Sequence, residues 1–254
     1  MPVDMLVFDL DGTLLRNDKT VSDYTVAVLR RCREKGILVA LATARSHWVA
    51  QRIVDIVQPD ALIVNGGALA FAKGERVVDR RFSAETTDAL LAAIGKCPSL
   101  EHITMGTEEG YFVTWEYAKH ADHAKAIKTD FSKPLGMRAY KITPSFMDEK
   151  DAHRVAALFP ECDMTGFTGE KWYRFSPKGA DKLAALRAIS GKLSIPLDNM
   201  AAFGDDWNDL DMIRGCGTGI AMGNAIDVLK RAADQVCLSN EEDGAARWIE
   251  AHLL

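Results

Sequence analysis

Short apolar runs alternate along the chain with amphipathic stretches that repeat at the period of an α-helix. Residues 22–35 are predicted to form a helix in which Ser22 is the N-cap and Gly36 ends the helix. Further helices are predicted over 178–192 and 208–214. The apolar runs predict strands at residues 3–8, 37–42, 61–64, 200–203, 218–222 and 235–238. Strands that alternate with helices in this way are typical of an α/β fold with a parallel sheet.

The pattern is different between residues 81 and 175. Helices are predicted there over 84–96 and 148–158, and strands near 102–107, 111–115, 137–142 and 172–176. This mixture indicates a smaller α+β unit inserted into the α/β core. We therefore predict a core made of residues 1–80 and 176–254 and an inserted unit of residues 81–175.

Composition narrows the classes of protein to be considered. With 254 residues, of which 48% are hydrophobic, the chain can bury a sizeable core. A net charge of −5 provides no basic field for nucleic acid or an anionic membrane, so neither is an expected partner. The five cysteines are scattered without a CxxC pair, which argues against a disulfide framework and a thiolate zinc site. No signal peptide and no apolar run of about 20 residues is seen, so we expect a cytoplasmic globular protein whose oligomeric state the sequence does not indicate.

Polar residues follow four of the predicted strands directly. The carboxyl ends of parallel strands lie along one edge of an open sheet, where ligands bind. Four segments that are distant in sequence are therefore expected to meet at one site. In chain order these small or polar residues are Asp9 with Asp11, Thr43 with Arg45, Asn65 with Gly66, and Asp205 with Asp206.

The residue types at this edge favour metal-assisted phosphoryl transfer. Asp9 and Asp11, in the stretch VFDLDGTLL, lie on the same side of an extended segment. Asp205 and the nearby Asp209 add hard oxygen ligands of the kind that Mg²⁺ prefers. One ionised aspartate could attack phosphorus, and a second carboxyl group could protonate the leaving oxygen. Taken alone, the Asp9/Asp11 stretch favours a solvated turn, since Asp, Gly and Thr all suit turns; the other motifs in register favour catalysis.

The motifs in combination resemble the haloacid dehalogenase-like superfamily. DLDGT at 9–13, Thr43, Lys182 and GDDWND at 204–209 carry this resemblance. Four further stretches resemble the Cof-type branch of this superfamily: NGG at 65–67, PKGADKLAAL at 177–186, AMGNA at 221–225 and SNEEDGAA at 239–246. The resemblance covers roughly 1–80 and 175–254. It implies a Rossmann-like parallel sheet core with an inserted α+β cap domain of the C2 type.

The resemblance also implies a role for each matching residue. Asp9 would be the nucleophile and Asp11 the general acid/base, while Thr43 and Lys182 would bind the transferring phosphoryl group. Mg²⁺ would be held by Asp9, the backbone carbonyl of Asp11, Asp205 and, in support, Asp209. Further candidates for binding the phosphate are Gly12, Arg45, Asn65, Gly66 and Asn208.

Three positions leave alternatives open. Lys178 also stands beside a glycine, although Lys182 has the spacing to Asp205 that is usual in the family. The family usually has Thr-Gly-Arg where this chain has Thr43-Ala44-Arg45, which puts the role of Arg45 in doubt. Asp206 is expected to be either a helix N-cap or a carboxylate that supports the metal site without binding the metal directly.

Two further patterns carry less specific signals. TGFTGEK at 165–171 lacks the full spacing of a phosphate-binding loop, so we interpret it as a turn. His120 and His123 have a spacing that could bind metal together with Glu116, but a solvated helix is the preferred interpretation.

The predicted function is a Mg²⁺-dependent phosphatase acting on small phosphorylated metabolites such as sugar phosphates, through an aspartyl-phosphate intermediate. The cap would select the substrate, with Arg138, Lys141 and Trp172 as candidate contacts. A phosphomutase of the same superfamily and a non-catalytic metabolite-binding protein are the alternatives. An ion pump of the P type is excluded, because it requires membrane spans.

Overall fold

The computed structural model describes residues 3–115 and 126–254. Its strands are β1 (Met5–Phe8), β2 (Leu38–Ala42), β3 (Ala61–Val64), β4 (Leu69–Ala72), β5 (Glu75–Asp79), β6 (Leu100–Thr107), β7 (Tyr111–Val113), β8 (Ala126–Lys128), β9 (Ala139–Phe146), β10 (Cys162–Gly166), β11 (Tyr173–Pro177), β12 (Met200–Gly204), β13 (Thr218–Ala221) and β14 (Gln235–Val236). Its helices are α1 (Asp23–Glu34), α2 (His47–Val57), α3 (Ala84–Ile94), α4 (Glu149–Leu158), α5 (Lys182–Leu193), α6 (Leu210–Gly215), α7 (Asp227–Ala232) and α8 (Gly244–His252). None of the helices in the described ranges is long and apolar enough to cross a membrane.

The chain divides into two compact units. The first consists of Met1–Ala44, Arg52–Val78 and Asp181–Leu254, and the second of Arg45–Gln51 and Asp79–Ala180. The sequence predicted a catalytic core of residues 1–80 and 176–254 and an inserted cap of residues 81–175. The roles of these two parts stay a prediction. The sequence did not predict that residues 45–51 belong to the second unit, where Val49 packs with Tyr111 and Val113.

The first unit is built on an eight-stranded sheet in the order β14-β13-β12-β1-β2-β3-β4-β5. The strands from β14 to β3 are parallel to one another, and β4 pairs with β3 in the antiparallel sense. The central strands are fully buried, with Phe8 of β1 stacked on Phe203 of β12 at 5.0 Å between ring centroids. Near-continuous apolar runs such as Met5–Phe8 are what a sheet that is buried on both faces requires.

The predicted α/β class and all six core strands are confirmed, with small differences in their ends. Ser22 caps α1 as predicted, since its side chain accepts a hydrogen bond from the Thr25 backbone N–H at 3.0 Å. The helix predicted over 178–192 begins only at Lys182. The reason is that Gly179 has a φ of +71°, which no helix accommodates, and Asp181 is the N-cap. Helix α2 and the neighbouring strands β4 and β5 were missed.

The second unit contains a six-stranded sheet in the order β10-β11-β9-β6-β7-β8. Neighbouring strands are antiparallel except for β7 and β8. Helices α3 and α4 pack on one face of this sheet, around an apolar core that includes Leu90, Ile142, Val155 and Phe175. The predicted helices and strands of this segment are confirmed, while β8 and β10 were missed. The stretch 165–171 forms the end of β10 and a turn, as interpreted.

Two close contacts lie near the places where the chain passes from one unit to the other. Arg80 Nη1, after β5, donates a hydrogen bond to the Gly179 carbonyl at 2.6 Å, so the outgoing and returning segments are joined. In the first unit, Gly67 (φ +107°) lies so near Asp181 that a Cβ added to it would stand 2.1 Å from the Asp181 carbonyl oxygen. Only glycine fits there.

Candidate active site

The carboxyl ends of β1 and β12 bring two of the predicted acidic segments together. Asp9 follows β1 directly, and its backbone N–H donates to the Phe203 carbonyl at 3.1 Å, which continues the β1–β12 ladder. Asp205 follows β12, and its Oδ1 accepts a hydrogen bond from Thr13 Oγ1 at 2.7 Å. One carboxylate oxygen each from Asp9, Asp205 and Asp209 lie within 4.8 Å of one another.

Lys182 lies between two of these carboxylates. As the first residue of α5, its Nζ donates to Asp9 Oδ1 at 2.5 Å and to Asp209 Oδ1 at 2.6 Å. All three side chains are buried. Lys178, the alternative, is exposed in the second unit, where its Nζ donates to the Pro160 carbonyl at 3.3 Å. The geometry therefore selects Lys182 as the lysine that contacts the acidic cluster.

Asp209 orients the turn that carries Asp205. Its Oδ2 accepts the backbone N–H groups of Asp205 at 3.0 Å and of Asp206 at 3.2 Å. Asp206 is the N-cap of the short helix Trp207–Asp209 and forms a capping box with Asp209. The N-cap alternative for Asp206 is thus the one that the structure supports.

The electrostatics of this cluster reflect three carboxylates around one ammonium group. Burial raises the pKa of Asp9 well above its usual value. The positive charge of Lys182 lowers this pKa but does not offset the effect of burial. Burial, followed by the charge of Asp209, raises the pKa of Asp205 to about 7. Burial lowers the pKa of Lys182, but the charges of Asp209 and Asp9 outweigh it and raise that pKa. The cluster thus holds more negative charge than Lys182 offsets.

This charge excess fits a divalent cation. Hard oxygen donors that gather at one point are the ligand set of Mg²⁺, and a bound cation favours their ionised forms. Asp9, Asp205 and Asp209 would supply the carboxylates. Gly12 keeps the approach open: with a φ of +79°, it lies where an added Cβ would stand 2.3 Å from Asp205 Oδ2.

Two further segments of the first unit supply polar groups at strand ends. Thr43 follows β2, is buried, and accepts the Gly66 backbone N–H on its carbonyl oxygen at 3.0 Å. Asn65 follows β3 with a φ of +53° and is fully buried. Within the part of the chain that the structure describes, both amide atoms of Asn65 are without a hydrogen-bond partner. Buried amides are normally hydrogen-bonded, so Asn65 is a candidate contact for a polar group at this edge of the sheet.

A family model described as haloacid dehalogenase-like hydrolase matches residues 6–249. The chain belongs to this family. The match spans both units, including the inserted segment in which the sequence offered no motif.

Relatives of this haloacid dehalogenase-like hydrolase extend over nearly its whole length. It is 25% identical to the 5-amino-6-(5-phospho-D-ribitylamino)uracil phosphatase YitU of Bacillus subtilis over 263 residues, covering 98% of this chain and 97% of that protein. It is 27% identical to an HMP-PP phosphatase of Klebsiella pneumoniae over 237 residues, covering 89% of this chain and 86% of that protein.

Solved structures of haloacid dehalogenase-like hydrolases share its fold. One from Bacteroides thetaiotaomicron has a TM-score of 0.84 at 22% identity, covering 98% of this chain and 99% of that chain. A sugar phosphatase of subclass IIB has the same TM-score at 24% identity and 98% coverage of both chains.

Some residues predicted for the site of this hydrolase make a contact that was not predicted, belong to the second unit, or lie outside the described residues. The Asp11 carboxylate is partly exposed, and its Oδ1 accepts a hydrogen bond from Lys19 Nζ at 2.8 Å. Arg45 belongs to the second unit, so its phosphate-binding role stays a prediction. Asn208 is half-buried beside Asp209, and its role also stays a prediction. Glu116, His120 and His123 lie outside the described residues.

Sequence reasoning missed three contacts of the site. Thr13 lies within the DLDGT motif and had no predicted role, yet its hydroxyl group donates a hydrogen bond to Asp205. Asn224, within AMGNA, donates through Nδ2 to the Gly12 carbonyl at 2.7 Å. Lys19 carried no motif signal, and its φ of +64° is rare for a residue with a side chain.

Proposed function

We propose that this chain is a Mg²⁺-dependent phosphatase of small phosphorylated metabolites and that it acts through an aspartyl-phosphate on Asp9. The observation that carries the proposal is the buried contact of Lys182 with Asp9 and Asp209, beside Asp205. A purely binding module has no need for several buried carboxylates around one lysine. Relatives named as phosphatases of a phosphoribityl-aminouracil and of HMP-PP support the small-metabolite class.

The first half-reaction forms a phosphorus–oxygen bond to Asp9. A carboxylate oxygen of Asp9 attacks phosphorus, and the bond between phosphorus and the ester oxygen breaks. Asp11 gives its proton to that leaving oxygen, so that an alcohol departs. Lys182, Thr43 and Asn65 supply donors for the phosphoryl oxygens, on which charge spreads in the transition state.

The second half-reaction restores the enzyme. Asp11, now ionised, takes a proton from water, and the water oxygen attacks phosphorus. The bond between phosphorus and the Asp9 oxygen breaks, which releases inorganic phosphate and regenerates the Asp9 carboxylate. A phosphomutase would differ only here, because a second hydroxyl group of a substrate would replace water.

The proposed metal site consists of the carboxylates of Asp9, Asp205 and Asp209 together with the backbone carbonyl of Asp11. When bound, Mg²⁺ would offset the repulsion between the nucleophile and the phosphate and keep Asp9 ionised. Thr13 holds Asp205 by its hydroxyl donor, and Asp209 fixes the backbone of the same turn. We further propose that the second unit acts as the cap that selects the substrate.

The test is phosphate release from a panel of phosphorylated metabolites, with Mg²⁺ and with EDTA. Wild type is compared with Asp9→Asn and with Asp211→Asn, an exposed aspartate on α6 that serves as the matched control. We expect Mg²⁺-dependent release that Asp9→Asn abolishes and Asp211→Asn retains. Release that survives in Asp9→Asn would overturn the nucleophile assignment. Phosphate transfer to a second sugar hydroxyl without release would identify the mutase.

A further inference from the structure

Two stretches that resemble the Cof-type branch, AMGNA at 221–225 and SNEEDGAA at 239–246, have no role in the proposed reaction. AMGNA begins at the last residue of β13, and SNEEDGAA follows β14. Both stretches belong to the first unit, in which the parallel strands share one edge with the acidic cluster. Their asparagines, Asn224 and Asn240, contact the loop that follows β1.

Asn224 joins this loop to the turn of residues 239–243 through both polar atoms of its side-chain amide. Its Nδ2 donates to the Gly12 carbonyl at 2.7 Å, and its Oδ1 accepts the Asn240 backbone N–H at 2.9 Å. A side-chain amide offers a donor and an acceptor from one planar group, so it can bridge two backbone segments. Alanine at this position would remove both ends of the bridge.

Asn240 forms a second bridge further along the same loop. Its side chain is 4% exposed, and its Nδ2 donates to the Leu15 carbonyl at 2.9 Å and to Asn17 Oδ1 at 3.2 Å. The Asn17 backbone N–H donates in return to Glu241 Oε1 at 2.5 Å. The loop of residues 12–17 is therefore bonded to the C-terminal part of the chain at three positions.

An ion pair strengthens the contact between this loop and the turn of residues 239–243. Arg16 donates to both carboxylate oxygens of Asp243, through Nε at 3.3 Å and through Nη2 at 2.6 Å. This two-point geometry is the one that guanidinium and carboxylate groups favour. Ser239 and Glu242 form a capping box within the turn. The loop is thus held by a turn that has its own hydrogen bonds.

Gly12 is the position at which the loop most needs a contact from outside. Its φ is +79°, and glycine populates positive and negative φ about equally. The hydrogen bond from Asn224 therefore selects one orientation of the peptide between Gly12 and Thr13. From that peptide, Thr13 Oγ1 donates to Asp205 Oδ1 at 2.7 Å. Asn224 is connected in this way to a proposed metal ligand.

The other end of the loop leads to a second contact of the proposed site. The Arg16 backbone N–H donates to the Thr20 carbonyl at 3.0 Å and closes the turn that carries Lys19. Lys19 Nζ donates to Asp11 Oδ1 at 2.8 Å. The bonds of Asn240 lie on either side of the residue at which this turn begins.

We propose that Asn224 and Asn240 are positioning residues of the phosphatase. They act through the loop of residues 12–17 and not by contact with the substrate. Asn224 keeps the Thr13 hydroxyl on Asp205, which holds that carboxylate in place for Mg²⁺. Asn240 keeps the turn with Lys19 beside Asp11. The inference rests on the proposed function, but the order of the loop can be measured without substrate or metal.

Hydrogen–deuterium exchange in EDTA tests the order of the loop. We expect the amides of residues 12–17 to exchange about 2–10-fold faster in Asn224→Ala and in Asn240→Ala than in wild type, since each variant loses hydrogen bonds that oppose local opening. Asn224 is exposed, so its variant is expected to fold even if Asn240→Ala does not. Exchange at the wild-type rate in Asn224→Ala would overturn the inference.

The matched control is Asn199→Ala. Asn199 Nδ2 donates to Asp4 Oδ2, also at 2.7 Å, but at the amino end of β1, away from the edge with the acidic cluster. This variant should leave the exchange of residues 12–17 and the activity at their wild-type values. Equal acceleration of exchange in the control and in Asn224→Ala would show a general loss of stability and would overturn the assignment.

Kinetics with p-nitrophenyl phosphate and a Mg²⁺ titration measure the effect on the reaction. We expect Asn224→Ala to raise the Mg²⁺ concentration for half-maximal activity and to lower kcat, each about 2–10-fold, and to leave KM for the ester nearly unchanged. A loss of folded enzyme alone would lower kcat without changing the Mg²⁺ requirement. An unchanged Mg²⁺ requirement would therefore overturn the positioning role of Asn224.

A double-mutant cycle tests the connection from Asn224 to Asp205. Thr13→Val removes the hydroxyl donor and keeps the shape of the side chain. In this background, Asn224→Ala should raise the Mg²⁺ requirement by a smaller factor than it does in wild type, because the two residues act through one contact. Equal factors in the two backgrounds would overturn the connection through Thr13.

The two kinds of measurement separate this inference from the proposed function. If wild type releases no phosphate from p-nitrophenyl phosphate or from the metabolite panel, the proposed function fails. Exchange in EDTA then still supports or overturns the ordering of the loop by the two asparagines. If wild type is active and exchange is the same in both asparagine variants as in wild type, only the inference fails.

Discussion

Lys19 Nζ donates a hydrogen bond over 2.8 Å to Oδ1 of Asp11, the residue proposed to act as general acid and base. Both side chains are partly exposed, at 49% and 42%. We expect Lys19→Met to lower kcat by a factor of about 1.5–5, since an exposed ion pair is worth about 0.2–1 kcal/mol, and to leave KM nearly unchanged. Steady-state kinetics on one substrate, with Lys19→Arg as the charge-preserving control, tests this. A change in KM alone would contradict the assignment.

Lys182 is the residue whose loss should affect both stability and activity most. Removing one partner from a buried ion pair leaves an uncompensated charge and costs about 3–5 kcal/mol. We expect Lys182→Met to lower the free energy of unfolding in EDTA by an amount of this order and to lower kcat by at least about 100-fold. Urea unfolding and phosphate release measure the two effects. Lys178→Met is the control, and equal losses in both variants would refute the choice of Lys182.

Alanine substitutions at Gly12 and Gly36 separate the effect of backbone strain from the effect of a steric clash with Asp205. Gly12 and Gly36 have nearly the same φ, +79° and +82°, but an added Cβ meets Asp205 only at Gly12. We expect both alanine variants to lose about 1 kcal/mol of stability through the positive φ. Only Gly12→Ala should also lose phosphatase activity and Mg²⁺ affinity. Full activity in Gly12→Ala would show that the turn relaxes without disturbing Asp205.

The acidic cluster predicts an unusual dependence of stability on pH for the metal-free protein. Burial raises the pKa of Asp205 from 3.8 to about 7, so the folded state binds more protons than the unfolded state between these values. Stability therefore falls as pH rises from about 4 to about 7. The raised pKa of Asp9 acts in the same direction.

Thermal unfolding at several pH values, in EDTA and in Mg²⁺, tests this relationship. We expect the Tm in EDTA to fall across that window, and Mg²⁺ to reduce the fall by stabilising the ionised carboxylates. In Asp205→Asn the fall should be smaller. Identical pH profiles with and without Mg²⁺ would contradict a cation site at this cluster.

The sequence was most informative where one local signal decides the structure. Apolar runs of four or five residues define the central strands, and Ser22 with Gly36 defines α1. The residues after β1 and β12 could be expected to meet because parallel strands share an edge. Their partners could not be predicted in the same way. Whether Lys182 or Lys178 reaches Asp9 depends on where α5 starts, and Gly179 and Asp181 determine that start.

Other features depend on tertiary pairing that no single segment reveals. Strands β4 and β5 are short and joined by a tight turn at Lys73 and Gly74, both with positive φ, and β5 (ERVVD) is mostly exposed, so its sequence carries little apolar signal. The two faces of the second unit's sheet are another example, because strand register decides which residues lie on each face. In Trp172-Tyr173-Arg174, the middle residue packs under the helices and its two neighbours lie on the opposite face.

The two places where the chain passes between the units indicate which parts of the inserted segment can vary among related proteins. Arg80 joins the segments that leave and re-enter, and the contact of Gly67 with Asp181 fixes the chain immediately before Lys182. The contacts that set the start of α5, and with it the position of Lys182, therefore lie at or outside the ends of the inserted segment, at Gly179, Asp181 and Gly67. We therefore expect the interior of the inserted segment to vary in length and sequence among related proteins while Lys182 keeps its contact with Asp9.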